Sequence, residues 1–287
     1  MNYRHAYHAG NFADCMKHAL LVWLLRALAR KPAAFGVLDT HAGAGGYDLQ
    51  ADEATRTGEW QQGIGRLLAS PPDEALADYL GLVRAAGAPA YYPGSPRLVR
   101  ALLRPQDRLV CCEMHGEDHA GLRRLFARDP MVAVHARDGW TAIEALLPPR
   151  TARRGLTLID PPFEQPGEFD RIVAAIGAAR RRFAAGVVAA WYPIKHRAPV
   201  RDMQDRLRAG GEPDLICAEL LLRPPLDPSR LNGCGLLVAS PPWGFEAAAA
   251  AILDAIADRL GRDESAAHGS VTRLTPELPE APMRTRG

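Results

Sequence analysis

Several features are missing from this 287-residue chain, and each absence removes a class of protein. Its five cysteines are an odd number with no C-x-x-C among them, so neither a disulfide framework nor a zinc ribbon is indicated, and a reducing compartment is the simpler setting. No apolar run approaches the roughly 18 residues that span a bilayer. The short apolar stretch Ala19 to Leu25 follows Asp14, Lys17 and His18 and runs into Arg26, which suits the core face of a helix better than a signal peptide. No internal repeat is visible. The formal net charge is only +2, which neither requires nor excludes a nucleic-acid partner. A soluble, cytoplasmic protein is expected, with no membrane association and no obligatory protein partner.

Hydrophobic residues make up 47% of the chain and charged residues 24%, enough to build a globular core. Residues 1–11 hold two tyrosines, two histidines and an arginine without helical period. Asn11 has the character of an N-cap, and Phe12, Met16, Ala19, Trp23 and Ala27 then recur at helical spacing as one apolar face. Lys31-Pro32 closes that helix. Seven strands are predicted, at about 35–38, 108–113, 131–136, 155–160, 186–191, 214–222 and 234–239. Helices at 116–128, 168–183 and 246–260 alternate with them. This is the pattern of an α/β fold with a mainly parallel sheet covered on both faces. Arg223 to Asn232 is Pro-rich and polar with no helix, so the last two strands are expected as an antiparallel edge pair. The expected organisation is a single domain over 1–261, a mainly helical insertion at 48–105 within it, and a flexible tail at 262–287.

Chemistry-bearing residues cluster at the predicted strand ends. Gly43, Gly45 and Gly46 follow the first strand and its terminal Asp39; glycine lets backbone turn tightly and approach a ligand. Dinucleotide-binding enzymes place glycines in the same position, so the loop alone does not choose a cofactor. Glu113 ends the next strand and is placed to accept hydrogen bonds from ribose hydroxyls, although a surface glutamate reads equally simply. Asp138-Gly139 follows the third strand, either as a helix N-cap or as an acceptor for an adenine amino group. The sharpest feature is Asp160-Pro161-Pro162-Phe163 after the apolar strand Gly155 to Ile159. Two prolines stiffen the turn and remove two backbone donors, leaving acceptors that suit an NH2 group. Phe163 offers an apolar face to a flat base. An amine conjugated to a purine is a poor nucleophile. Acceptors that hold its hydrogens free the lone pair, and a carboxylate can then take the proton. Ser240-Pro241-Pro242-Trp243 repeats the stiff turn, but serine is the weaker acceptor, and this turn is expected only to shape a loop beside the pocket. A zinc site from His5, His8 and His18 lacks the usual cysteine or acidic partners, and no metal is expected.

With these motifs together, the chain resembles class I methyltransferases that act on amino groups. Tyr3-Arg-His-Ala-Tyr-His-Ala-Gly-Asn11 with Asp14 and Lys17-His18 is more specific, as are Leu38-Asp-Thr-His-Ala-Gly-Ala-Gly45, Arg56-Thr-Gly-Glu59, Tyr92-Pro-Gly-Ser-Pro96 and Trp191-Tyr-Pro193. These are similar to the RlmJ family, bacterial 23S rRNA adenine-N6 methyltransferases, over roughly residues 2–260. The resemblance implies a Rossmann-like sheet with a helical insertion and S-adenosyl-L-methionine as methyl donor. It implies a cofactor pocket using His18, His41, the loop glycines Gly43 and Gly45, Ser95, Glu113, Asp138, Gly139 and Asp160. It implies Asp160 as proton acceptor, supported by Pro161 and Phe163, with 23S rRNA as partner. Tyr3 is implied to contact the RNA, with Arg4, His5 and Lys17 beside it; the aromatic and cationic N-terminal segment supplies stacking faces and donors for an extruded nucleotide. Phe163 stands where the family has tyrosine, and Ser240 where related chains have asparagine. Arg150, Arg153 and Arg154, and Arg180 to Arg182, form basic clusters suited either to phosphates or to solvent. The competing readings are methylation of guanine N2 or of adenine in DNA, a nicotinamide oxidoreductase, and a non-catalytic RNA-binding module.

Overall fold

The computed structural model describes residues 4–261 and 266–277. A single 3-10 turn, His5–Tyr7, leads to α1 (Phe12–Ala29), β1 (Gly36–Asp39) and β2 (Gly46–Asp48). A mainly helical stretch follows: α2 (Asp52–Thr57), a kinked turn at Gln61–Gly65, α3 (Arg66–Ala69), α4 (Glu74–Ala85), β3 (Tyr91–Pro93) and α5 (Ser95–Leu102). Then come β4 (Arg108–Cys112), α6 (Gly116–Leu125), β5 (Val132–His135), α7 (Gly139–Leu146), β6 (Gly155–Ile159) and α8 (Glu168–Arg182). The chain continues through β7 (Gly186–Ile194), α9 (Arg197–Ala209), β8 (Leu215–Leu221), β9 (Gly233–Ala239), α10 (Phe245–Leu260) and β10 (His268–Thr275). No helix among the described residues is long and apolar enough to cross a membrane.

The main sheet has eight strands in the order β10-β8-β9-β7-β6-β1-β4-β5. β5, β4, β1, β6 and β7 run parallel, and β9, β8 and β10 pair antiparallel at the far side. This is a Rossmann-like α/β sheet. β1 lies between β4 and β6, so successive crossovers leave it in opposite directions and open a crevice at the strand C-termini, where ligands bind in sheets of this kind. β1, β6, β8 and β9 are buried at every residue, as expected for strands covered on both faces.

Two expectations need correction. Residues 268–275, expected as tail, form β10, paired with β8 from His268↔Leu221 to Thr275↔Leu215. The sheet therefore has eight strands rather than seven, and β10 covers an otherwise open edge with buried Leu274 and Thr275. The second concerns α1, which is buried around most of its circumference rather than along one face. Leu20, Leu21, Leu24 and Leu25 are fully enclosed, whereas Phe12 and Trp23 are only partly covered. It packs against α4, α5 and α10 as well as β9, and a helix enclosed on several sides needs apolar residues on all of them. Asn11 caps it as expected, its side chain accepting from the Ala13 and Asp14 amides, each at 3.0 Å.

A chain ending at Gly261 should be less stable by at least about 2 kcal/mol, since burial of one leucine such as Leu274 is worth roughly 1.5–3 kcal/mol. Urea denaturation followed by circular dichroism measures the change.

Candidate active site

The crevice at the ends of β1, β4, β6 and β7 holds a cavity of about 510 Å³, within the range of small-molecule sites. It brings together residues far apart in sequence. The first α1 turns supply Asp14, Lys17 and His18, the loop after β1 supplies His41 and Gly43, β4 ends in Glu113, and β6 leads into Asp160 to Phe163.

At one end, the Glu113 carboxylate is held by backbone amides: Gly43 donates to Oε2 and His115 donates to Oε1, each at 2.7 Å. Burial nevertheless raises its pKa from the usual carboxylate value. Gly43 has φ +60°, and an added Cβ would lie 2.5 Å from the Tyr47 hydroxyl, so this turn requires glycine. Beneath it, Asp39 is completely buried. Ser95 donates to its Oδ2 at 2.6 Å, while Oδ1 is buried without a hydrogen-bond partner. Burial pushes the Asp39 carboxyl up to about 7.

The two histidines of the expected pocket are both neutral at pH 7. Burial lowers His18 to about 3 and His41 to about 4. The His18 Nδ1 lies 2.7 Å from the Tyr92 hydroxyl, which in turn meets that of Tyr79 at 3.0 Å. His41 shares a 2.8 Å hydrogen bond with the Thr40 hydroxyl and stands edge-on to Trp140.

At the other end, Lys17 links two carboxylates. Its Nζ donates to Asp160 Oδ2 at 2.5 Å and lies 2.9 Å from Asp14 Oδ1. Burial pushes the lysine pKa down, but the charges of Asp14 and Asp160 outweigh it and hold the ammonium above its ordinary range. Asp14 Oδ2 also accepts from the Gly10 amide and meets His5 Nε2, each at 2.9 Å. Burial opposes ionisation of Asp14, yet the charges of His5 and Lys17 keep it well below the usual carboxylate value. Phe163 adopts a left-handed φ of +52° and meets Phe169 and Trp191 edge-on at 4.9 and 5.9 Å. The aromatic wall therefore adjoins the carboxylate.

Of the residues expected at the site, His5, Lys17, His18, His41, Gly43, Ser95, Glu113, Asp160, Pro161 and Phe163 line the cavity. Lys17 lines it as a buried charge link, its side chain only 5% exposed. Arg4 does not line it, and pairs with Glu117 at the surface at 2.6 Å. Asp138 caps α7 by accepting from the Thr141 amide at 2.9 Å. Gly139 acts from behind the wall: a Cβ there would meet Thr40 O at 2.2 Å and the His41 ring at 2.7 Å, so glycine lets α7 pack against the β1 loop. Gly45 serves similarly, with α6 residues Leu122 and Leu125 within 2.8 Å of an added Cβ. Tyr3 lies outside the described residues. Sequence reasoning assigned no role to Asp14, Glu59, Trp191, Lys195, Ser229 or Leu231, all of which line the cavity. Asp14, Glu59 and Trp191 did stand in the motifs that carry the family resemblance, which was the available signal.

The Ser240 turn is not beside the pocket. β9 runs antiparallel, with Ala239 opposite Val188 near the start of β7, so this turn emerges at the opposite end of the sheet. Ser240 accepts from Arg180 there, and Trp243 is 91% exposed. Arg154 and Arg182 lie at that same end, where they brace the backbone carbonyls of Ala33, Leu28 and Leu147.

The family model described as "Ribosomal RNA large subunit methyltransferase D, RlmJ" matches residues 32–273. The chain is 37% identical over 281 residues to the "Ribosomal RNA large subunit methyltransferase J" of Escherichia coli K12, covering 96% of this chain and 100% of that protein. The protein of the same description from Haemophilus influenzae is 37% identical over 282 residues, again covering 96% and 100%. Among solved structures, protein LPL1258 from Legionella pneumophila superposes with a TM-score of 0.85 at 31% identity, over 93% of this chain and 98% of that one.

Lys17→Met leaves Asp14 and Asp160 without their shared cation and should cost about 3–5 kcal/mol, the usual penalty for removing one partner from a buried ion pair; chemical denaturation measures it. A second expectation concerns His8, whose Nδ1 meets Glu59 Oε1 at 2.9 Å. This bond raises His8 above its ordinary 6.5, and Glu59 lies below its ordinary 4.5, where burial is outweighed by bonds from His8 and Asn11. The pair is fully charged between those ordinary values. Its contribution is lost as pH rises through the elevated His8 pKa, and again as pH falls through the depressed Glu59 pKa. Amide exchange at residues 8–11 should therefore show an added step of deprotection as pH rises above the ordinary histidine value of 6.5, absent from Glu59→Gln.

Proposed function

Because the chain belongs to the RlmJ family of ribosomal RNA large subunit methyltransferases, we propose that it transfers a methyl group from S-adenosyl-L-methionine to the N6 amine of an adenine in 23S rRNA. The observation that carries this reading is the position of Asp160. Its carboxylate lines the same cavity as Glu113 and Gly43, beside the aromatic wall of Phe163 and Trp191.

The Glu113 and Gly43 end fits the nucleoside part of the donor. Its carboxylate is already oriented by two amides, with acceptor capacity remaining for ribose hydroxyls, and the left-handed glycine turn leaves room that a Cβ would fill. When bound, S-adenosyl-L-methionine supplies an electrophilic methyl group on a positively charged sulfur. That activation is already in the sulfonium, so the reading assigns no step to a metal ion.

The remaining work falls to the Asp160 corner. A carboxylate offers about four acceptor positions, and Lys17 takes one. Asp160 accepts a hydrogen from the adenine amine, which draws the nitrogen lone pair out of conjugation, and it takes the proton as the new C–N bond forms. Pro161 and Pro162 have no N–H to compete for these acceptors. Phe163 and Trp191 form an apolar face for the base. Lys17 fixes the carboxylate in one orientation, and His5 reaches the same network through Asp14. Tyr3, Arg4 and His5 contact the RNA, His5 from the cavity lining. The enzyme works in the cytoplasm, where its rRNA substrate is made.

Labelled S-adenosyl-L-methionine, unmodified 23S rRNA and nucleoside analysis test the reading. N6-methyladenosine is expected, whereas label in N2-methylguanosine, or in DNA alone, would overturn the assignment. Asp160→Asn should lower kcat by about 10²–10⁴-fold, the range for loss of a general base, with cofactor affinity changed by only a few-fold.

A further inference from the structure

The connection between β8 and β9, Leu222-Arg-Pro-Pro-Leu-Asp-Pro-Ser-Arg-Leu-Asn232, has no role in the chemistry above. It leaves and re-enters the sheet at Leu221↔Gly233, level with Ile194 at the end of β7. β6 ends earlier, at Ile159↔Ala190. The loop is thus carried four residues, about 13 Å of strand, beyond the level from which Asp160 emerges. Ser229 and Leu231 line the cavity, so the loop forms one rim of its mouth.

The loop is rigidly built. Pro224, Pro225 and Pro228 fix three φ angles. Asp227 Oδ1 accepts from the Ser229 amide and hydroxyl at 2.9 and 2.6 Å. Asn232 is almost completely buried, and its amide donates to Lys195 O and Asp227 O at 2.8 and 2.7 Å, joining the loop to the end of β7. On this frame stands Leu226, 81% exposed, with Lys195 and Arg230 also exposed on the same rim. Single exposed leucines on mobile surface are ordinary. A leucine held out by a stiff, hydrogen-bonded loop that rims an active-site cavity, with exposed Arg230 on the same loop and Lys195 hydrogen-bonded to it through Asn232, fits a polyanion with an apolar interior.

We propose that Leu226 is a wedge that enters the RNA base stack at the position the target adenine vacates, while Lys195 and Arg230 hold the flanking phosphates. The inference rests on the RNA-adenine reading above. An enzyme that alkylates an amine within a stacked strand must take that base out, and apolar side chains inserted between bases offset the unstacking.

The test uses two RNA stem–loops of identical flanking sequence, one with the target adenine paired and one with it opposite an abasic site. Leu226→Ala should lower kcat/KM on the paired substrate by about tenfold or more, since extrusion costs a few kcal/mol. On the unpaired substrate it should stay within about twofold of wild type, and Leu226→Met should restore the paired activity. Fluorescence of 2-aminopurine at the target position should rise with wild-type protein and less with Leu226→Ala. Equal loss on both RNAs, or loss on neither, overturns the wedge. So does a shift in monomer–dimer equilibrium in Leu226→Ala with unchanged preference between the RNAs, which assigns the leucine to a second copy of the chain. Wild-type protein that methylates neither RNA removes the adenine reading itself, and the wedge with it.

Discussion

A single buried ammonium holds this site together. Lys17 lies between Asp14 on its own helix and Asp160 at the end of β6, and Asp14 holds the Gly10 amide and His5. One cation thereby ties the N-terminal segment, the first helix and the strand-end turn to a common point. Buried ion pairs are weak evidence for stability, because desolvation offsets much of the attraction. Their clearer effect is geometric. A carboxylate hydrogen-bonded to a buried lysine has a defined orientation beside the Phe163 ring. The same lysine also lies 5.8 Å from the Trp191 ring, so charge and aromatic wall are positioned together.

Which loops can reach that point is decided by strand direction. Parallel strands deliver Asp39, Glu113 and Asp160 to one end of the sheet, and β7 carries Trp191 and Lys195 to the same end. β9 runs the other way and carries Ser240 to the opposite end of the sheet. The two Pro-Pro-aromatic turns are near-equivalents as local sequence, and separating them required the direction of one strand.

Much of the fold was legible because its strands are short apolar runs between turn residues, and all seven expected strands recur in the sheet. β10 escaped because an antiparallel edge strand needs burial on only part of one face. His268-Gly-Ser-Val-Thr-Arg-Leu-Thr275 has few apolar residues, and its order comes from a ladder to β8 that lies nearly 50 residues away in sequence. The periodicity of α1 was visible, but its enclosure by α4 and α10 was not, since that depends on where the 48–105 segment and the last helix pack. At the site, the Asp160 turn could be read from local chemistry alone. Asp14 and Glu59 could not: the first takes its meaning from His5 and Lys17, and the second from His8 across 51 positions. Asp138, readable from its position as a helix cap or as a ligand, caps α7 through Oδ1.

Charge around the cavity also bears on the direction of the proposed reaction. Burial leaves His18 and His41 without charge, so neither adds positive charge to the cavity. Asp14, Lys17 and Asp160 sum to one negative charge as an ion-paired set, and the Glu113 carboxyl group lines the same cavity. A cavity of that sign attracts a sulfonium, and the attraction is greater where water is thin. Methyl transfer removes the positive charge from sulfur, so the electrostatic part of donor binding weakens as the reaction completes. On the proposed reading, the carboxylates that orient the amine also favour exchange of spent donor for fresh.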